Sequence, residues 1–302
     1  MAAFEGASAR WGRRIMIGAP YLWLLVFFMV PFAVVLKLSF STAAIAIPPY
    51  TPTWDSWEGV KTFFTELSFE NYTFLFEDSL YVNSYLSSLK IAAIATALTL
   101  LVGYPLAYAM ARAPERWRGT LVLLVILPFW TSFLIRVYAW IGILKTEGLL
   151  NLALQSAGLI SAPLQIYNTD WAVYIGIVYS YLPFMVLPLY ATLVKLDVSL
   201  LEAAADLGAK PVTTFWRVTL PLSLPGVAAG SFLVFIPAVG EFVIPILLGG
   251  ADTLMIGKTL WNEFFSNRDW PLASAVAVLL LMVLVIPILA FQRLAKGRED
   301  AL

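Results

Sequence analysis

The sequence predicts an all-α membrane protein: six transmembrane helices with both termini on the cytoplasmic side. Three observations carry that expectation. Of 302 residues, 61% are hydrophobic and 13% charged, against roughly half apolar and about a quarter charged in soluble domains. Six apolar stretches, near 16–40, 85–111, 119–144, 171–193, 222–248 and 272–292, reach the about 20 residues that a helix needs to cross a bilayer. Lys and Arg are distributed unevenly between the connections, twelve on one side and four on the other, and the richer side faces the cytoplasm.

In chain order, residues 1–15 form a cytoplasmic tail with Arg10, Arg13 and Arg14. The first span follows, and its apolar run outlasts the about 7–15 residues of a signal-peptide core, so it reads as a retained helix. Residues 41–84 hold six acids against Lys61 alone, with Trp54, Trp57, Phe63, Phe64 and Tyr72 interleaved; so aromatic a segment predicts a small packed outer cap. The 112–118 connection, with Arg112, Arg116 and Arg118, is cytoplasmic. Short outer helices are expected at 148–160 and 254–266, the second a candidate to re-enter the membrane. Residues 16–292 make up the membrane domain, and 293–302, with Arg293, Lys296 and Arg298, a second cytoplasmic tail. Proline recurs inside the spans, which suits a bundle with a pathway more than a plain anchor.

The cytoplasmic loop 194–221 is organised as a short helix, a turn and a second helix. Ser199 with Glu202 predicts a capping box. Gly208 suits the left-handed position that ends a helix, and Pro211 the first turn of the next one. The loop places Leu200, Leu201, Leu207 and the alanines 203–205 in water without an obvious cover. It reads as a docking helix for another protein rather than a simple connection.

Without His or Cys, disulfides, thiol chemistry and imidazole-based metal or acid–base sites are excluded, and no enzyme activity or metal centre is expected. Residues 250–259 resemble a phosphate-binding loop, but Asp252 stands where glycine is required, on the outer side, away from cytoplasmic nucleotide. Lys37, Arg136 and Glu241 are the ionisable residues clearly inside spans. An intramembrane carboxylate costs at least a few kcal/mol and needs a partner. Three readings of Glu241 stand: it meets a cationic substrate in a pathway, it pairs with Arg136 or Lys37, or it is protonated and bonded to backbone near the prolines. Trp130, Tyr138, Tyr179 and Tyr181 are candidate aromatic walls for ammonium groups through cation–π contact. The outer loops carry eleven acids and four bases, a surface that concentrates cations.

The loop at Glu202-Ala203-Ala204, with Gly208 and Leu220-Pro221 after it, resembles the cytoplasmic motif of ABC-importer permeases; Val218 stands where Ile is usual. Residues 47–51, the run Leu127-Pro128-Phe129-Trp130-Thr131-Ser132 on to Trp140, and 262–271 are similar to the spermidine/putrescine permeases, most like the putrescine-type subunits. The resemblance implies a type I importer permease in a bacterial inner membrane, carrying polyamines by alternating access. It implies a second homologous permease, a cytoplasmic ATPase dimer that binds the ATP and Mg while this chain binds no cofactor, and a periplasmic polyamine-binding protein. It implies that Glu202, Ala203, Asp206, Leu207 and Gly208 contact the ATPase; lipid is the remaining partner, and nucleic acid is not one. Related permeases for ferric ion, anions or opine-like solutes share the loop, and some share Gly240-Glu241-Phe242. An ion-driven secondary transporter is the alternative from another class, though it needs no docking helix.

Overall fold

The computed structural model describes residue 14 and residues 16–299, with backbone alone for 286–288 and 290–299. The expected tail 1–15, apart from Arg14, and residues 300–302 lie outside the described residues, as do the side chains of Arg293, Lys296 and Arg298. The chain divides into two compact units, Met1–Ser79 with Leu260–Leu302, and Leu80–Thr259.

In the first unit, helix α1 (Met16–Ser39) packs against helix α13 (Trp270–Glu299). A two-stranded antiparallel hairpin, β1 (Thr42–Ala43) and β2 (Tyr50–Thr51), follows α1, then α2 (Trp57–Thr65) and α3 (Glu70–Glu77). These make a small cap with Phe63 and Leu75 buried. Its attachment to α1 uses the carbonyls that any helix end leaves unpaired. Asn71 Nδ2 donates to the carbonyls of Ser39 (3.0 Å) and Ser41 (2.8 Å), and the Tyr72 hydroxyl to Ser39 Oγ (2.9 Å).

Lys37 completes the attachment. It is 6% exposed, and its ammonium donates to the Pro52 carbonyl at 2.7 Å while lying 4.1 Å from the Tyr50 ring centre, 5.5 Å from Trp54 and 5.8 Å from Phe63. Ring faces attract the cation and the Pro52 carbonyl accepts a hydrogen bond from it, while the Asp55 carboxylate acts on the charge from farther off.

In the second unit, α4 (Ser79–Arg112), α8 (Asp170–Leu193) and α10 (Pro211–Val239) are long and apolar enough to cross a membrane, as is α1 in the first. Helices α8 and α10 pack most closely. A Cβ at Gly226 would stand 2.6 Å from Thr192 Oγ1, and one at Gly230 would stand 2.8 Å from Met185 Sδ and 3.0 Å from its carbonyl. Two glycines four residues apart thus let the backbones meet, the usual device where lipid offers no hydrophobic drive for association. Helix α4 joins them through Tyr104, whose hydroxyl lies 2.8 Å from Ser223 Oγ.

Two of the expected spans are not single helices. Residues 119–144 divide between α5 (Glu115–Trp130) and α6 (Phe133–Leu144), and the axis bends by 88° between Glu115–Trp130 and Phe133–Ser156, which also holds α7 (Leu149–Ser156). Pro128 and the extended Thr131 interrupt the ladder there. Residues 222–248 divide likewise: α10 stops at Val239, and a separate turn, α11 (Val243–Leu247), begins after Gly240. Among the described residues four helices are thus span-like, five with the bent pair, while α13 has its described apolar part at Trp270–Val285. Between α11 and α13 lies α12 (Ile256–Trp261).

Lys37→Met keeps the side-chain stem and removes the ammonium, a charged hydrogen bond plus a cation–π contact. The expected outcome is roughly tenfold faster protease cleavage within 41–78, read on membrane vesicles opened to the outer face. Unchanged cleavage would show that the cap stays attached without it.

Candidate functional site

Glu241 lies in the break between α10 and α11, 7% exposed. Its Oε1 accepts from three successive backbone N–H groups, Phe242 (3.1 Å), Val243 (2.9 Å) and Ile244 (3.3 Å). These are donors that the start of a helix leaves free, and the carboxylate takes them up from the residue before. Its Oε2 accepts from the Tyr181 hydroxyl on α8, at 2.6 Å.

Small residues set that geometry. A Cβ at Gly176 would come within 2.9 Å of Ile244 and 2.8 Å of Leu248, so α11 sits directly on α8, one and a half turns before Tyr181. Gly257 brings the start of α12 against the carbonyls of Gly240 and Glu241, where any Cβ would collide. In the stretch that resembles a phosphate loop, this contact gives Gly257 a structural reason. Its neighbours are also engaged: Lys258 Nζ donates to the Gly250 carbonyl (3.3 Å), and Thr259 Oγ1 lies 3.1 Å from Ser84 Oγ.

Glu241 and Tyr181 line a cavity of about 410 Å³, with Phe129, Phe133, Phe184 and Arg136 on its other walls. Arg136 has Nε and Nη1 enclosed without a hydrogen-bond partner, and its guanidinium carbon lies 4.9 Å from the Phe129 ring centre and 5.9 Å from Phe133. Ser180 Oγ is a further enclosed, unpartnered polar atom at this wall.

Each Glu241 reading can now be set against these contacts. Its hydrogen bonds go to Tyr181 and backbone, with the carboxylate accepting in all four. Backbone bonding is therefore present, but as acceptor, beside Pro237 and Pro245. Arg136 shares the cavity without bonding Glu241, and the Lys37 ammonium is engaged by Pro52 in its own unit. Among the candidate aromatics, only Tyr181 lines the cavity. Tyr179 stacks edge-on with Trp140 at 5.3 Å, Trp130 is 74% exposed at the end of α5, and Tyr138 is exposed on α6. Phe129, Phe133 and Phe184 were not among the sequence candidates; Phe129 and Phe133 were visible only as neighbours of Arg136 in spacing.

The loop 194–221 forms α9 (Ser199–Asp206) and the start of α10. The expected capping box does not form. Ser199 is already helical, and Asp197 Oδ1 accepts its N–H at 2.9 Å. That bond holds the Asp197 carboxyl below the ordinary carboxylate range, so its contribution is present at neutral pH and lost as pH falls through the lowered value. At the other end Gly208 has φ +79°, its N–H donates to Ala205 and that of Ala209 to Ala204, a complete left-handed helix stop. Leu201, Ala205 and Ala209 turn inward to a cavity of about 240 Å³ with Tyr108 and Phe215. Glu202, Ala203, Asp206, Leu207 and Gly208 are exposed, Leu207 by 89%.

Residues 103–298 match the family model for a binding-protein-dependent transport system inner membrane component. The chain is 41% identical over 284 residues, 94% of each protein, to the spermidine/putrescine transport system permease protein PotB of Haemophilus influenzae. It is 42% identical over 274 residues to the protein of the same description from Escherichia coli K12, covering 91% of this chain and 94% of that one. In fold it is similar to a chain of a bacterial ABC transporter involved in the import of the acidic polysaccharide alginate, with TM-score 0.72 at 16% identity over 98% of this chain and 99% of that one. The chain belongs to the binding-protein-dependent transport system inner membrane components.

Proposed function

We propose that this chain is the membrane-spanning permease subunit of an ATP-driven, binding-protein-dependent polyamine importer in a bacterial inner membrane. Identity above 40% across more than nine-tenths of the spermidine/putrescine permeases is the observation that carries the substrate class. The cavity is compatible with it: Glu241 Oε2 has a single donor and room for another, and aromatic walls suit an aliphatic diammonium chain. In this reading the chain crosses the membrane six times with both ends cytoplasmic and supplies half of the pathway. A homologous permease supplies the other half, and a periplasmic binding protein delivers the polyamine. The chain performs no chemistry and binds no cofactor; ATP and Mg belong to the ATPase dimer beneath it. The exposed face of α9, with Glu202, Ala203, Asp206, Leu207 and Gly208, is the ATPase contact. Glu241 and Tyr181 meet the substrate, whereas Trp130, Tyr138 and Tyr179 lie off the cavity and are weaker members of the pathway.

Arg136 favours one rival, an importer of the same architecture for an anionic solute. ATP hydrolysis by the reconstituted complex, stimulated by loaded binding protein, decides between them. Stimulation by putrescine or spermidine and not by an anion supports the polyamine reading; the reverse removes it.

Two variants test the residues. Glu241→Gln keeps an oxygen for the α11 backbone donors and loses the charge; polyamine uptake is expected to fall about 10–100-fold with the complex still assembled, the range for a lost charged hydrogen bond. Loss of assembly instead would make Glu241 structural only. Glu202→Lys reverses a charge on the exposed face of α9, and uptake is expected to be abolished along with ATPase co-purification. Normal uptake in this variant would rule out the coupling role.

A further inference from the structure

The cavity of the second unit holds two opposite charges that do not touch, and each has unused bonding capacity. Arg136 has two enclosed guanidinium nitrogens without a partner and lies against the rings of Phe129 and Phe133. Buried donors of that kind are rare in folded proteins and ask for an acceptor. Glu241 has Oε1 filled by three backbone donors, and Oε2 bonded to Tyr181 alone. A carboxylate oxygen has two lone pairs, so Oε2 can take one more donor. Among the residues lining the cavity these are the two charges.

Both are mounted on breaks in the helical ladder. Arg136 comes four residues after Ser132, where the axis turns by 88°, and Glu241 directly after Gly240, where α10 ends. Rotation about the break between α5 and α6 changes their separation without costing a helix its internal hydrogen bonds, whereas the break at Gly240 is tied by the bonds of Glu241 Oε1 and serves as the fixed side. The charges thus share one cavity, are opposite in sign, each have unused bonding capacity, and one of them is set beside a bend.

We infer that Arg136 is a resident cation that competes with the transported ammonium for Glu241 Oε2. With no substrate, the guanidinium closes on the carboxylate. A primary ammonium entering between them replaces it, and Arg136 withdraws to the Phe129 and Phe133 faces. When the ammonium leaves, Arg136 returns and closes the cavity behind it. Arg136 is in this account a specificity-determining residue: a ligand enters only by supplying a cation that outcompetes it, and a neutral or anionic solute cannot displace it. This inference rests on the cation-pathway reading of the cavity.

The chain contains no cysteine, so a pair introduced into it is unique when the partner subunits are also stripped of cysteine. Phe133→Cys with Phe242→Cys places thiols on the two cavity walls and leaves both charges intact. Within the reconstituted complex, a short bifunctional thiol reagent is expected to bridge the pair faster without putrescine than with it, on the order of fivefold or more, the lower range of a coupling free energy between sites. Adding Arg136→Gln should abolish that difference, and Arg136→Lys should restore it. A bridging rate indifferent to putrescine, or a difference that survives Arg136→Gln, overturns the proposal. Uptake by the cysteine-free wild-type complex is measured alongside. No putrescine uptake there would fail the polyamine reading itself, a result distinct from uptake with an indifferent bridging rate.

Discussion

Glu241 Oε1 takes three consecutive backbone N–H groups, and much of the second unit's geometry depends on that arrangement. A helix that stops and restarts inside a membrane leaves donors with no water to meet them, at a cost of several kcal/mol per unsatisfied group. Placing the carboxylate two residues before the restart satisfies them locally. The break then becomes a stable place in the fold, and Gly176 and Gly257 allow α8 and α12 to press against it from two sides. The same side chain that permits the break also lines the cavity, its second oxygen bonded to Tyr181, another lining residue. Structure and candidate function therefore use different atoms of one carboxylate, which is why Gln and a smaller residue are not equivalent replacements.

Lys37 solves a related problem differently. Its charge is buried at the end of α1 against aromatic faces and one carbonyl, with the Asp55 carboxylate acting on it from beyond hydrogen-bond distance. The interaction is strong enough to fasten the cap and uses no acidic residue in contact with it.

The sequence made some features legible because they follow from local physics. Gly208 and Pro211 announce a left-handed stop and a helix start through backbone geometry alone, and both occur as read. Apolar length located the spans, and the bilayer cost singled out Glu241. The capping box was misread because Asp197, two residues before Ser199, competes for the same donor, and sequence pattern cannot say which wins. The 88° bend was hidden for a similar reason: Pro128 occurs in a run as apolar as any other span, and nothing local distinguishes a kink from a full turn of the axis. Trp130, Tyr138 and Tyr179 were chosen by residue type, yet only direction around the helix decides whether a ring faces a cavity, and the break at Thr131–Ser132 resets that direction. Gly257 was readable as a loop glycine, but its contact with the Gly240 and Glu241 carbonyls is nonlocal.

In the pathway we propose, Arg136 and Glu241 need to share the cavity without a permanent bond. A tight ion pair in a medium of low dielectric would be held by many kcal/mol, and no ammonium of ordinary affinity would displace the guanidinium within a transport cycle. Two isolated charges would be too costly to keep. The observed arrangement lies between those limits. Glu241 is stabilised by four neutral donors, so it does not depend on a counter-charge, and Arg136 is stabilised by two ring faces, so it survives withdrawal. Each supporting shell lowers the cost of separation, and with it the free energy by which one cation must exceed the other. A pathway that binds and then releases needs that difference small, and in the proposed exchange the hydroxyl of Tyr181 and the rings of Phe129 and Phe133 keep it so.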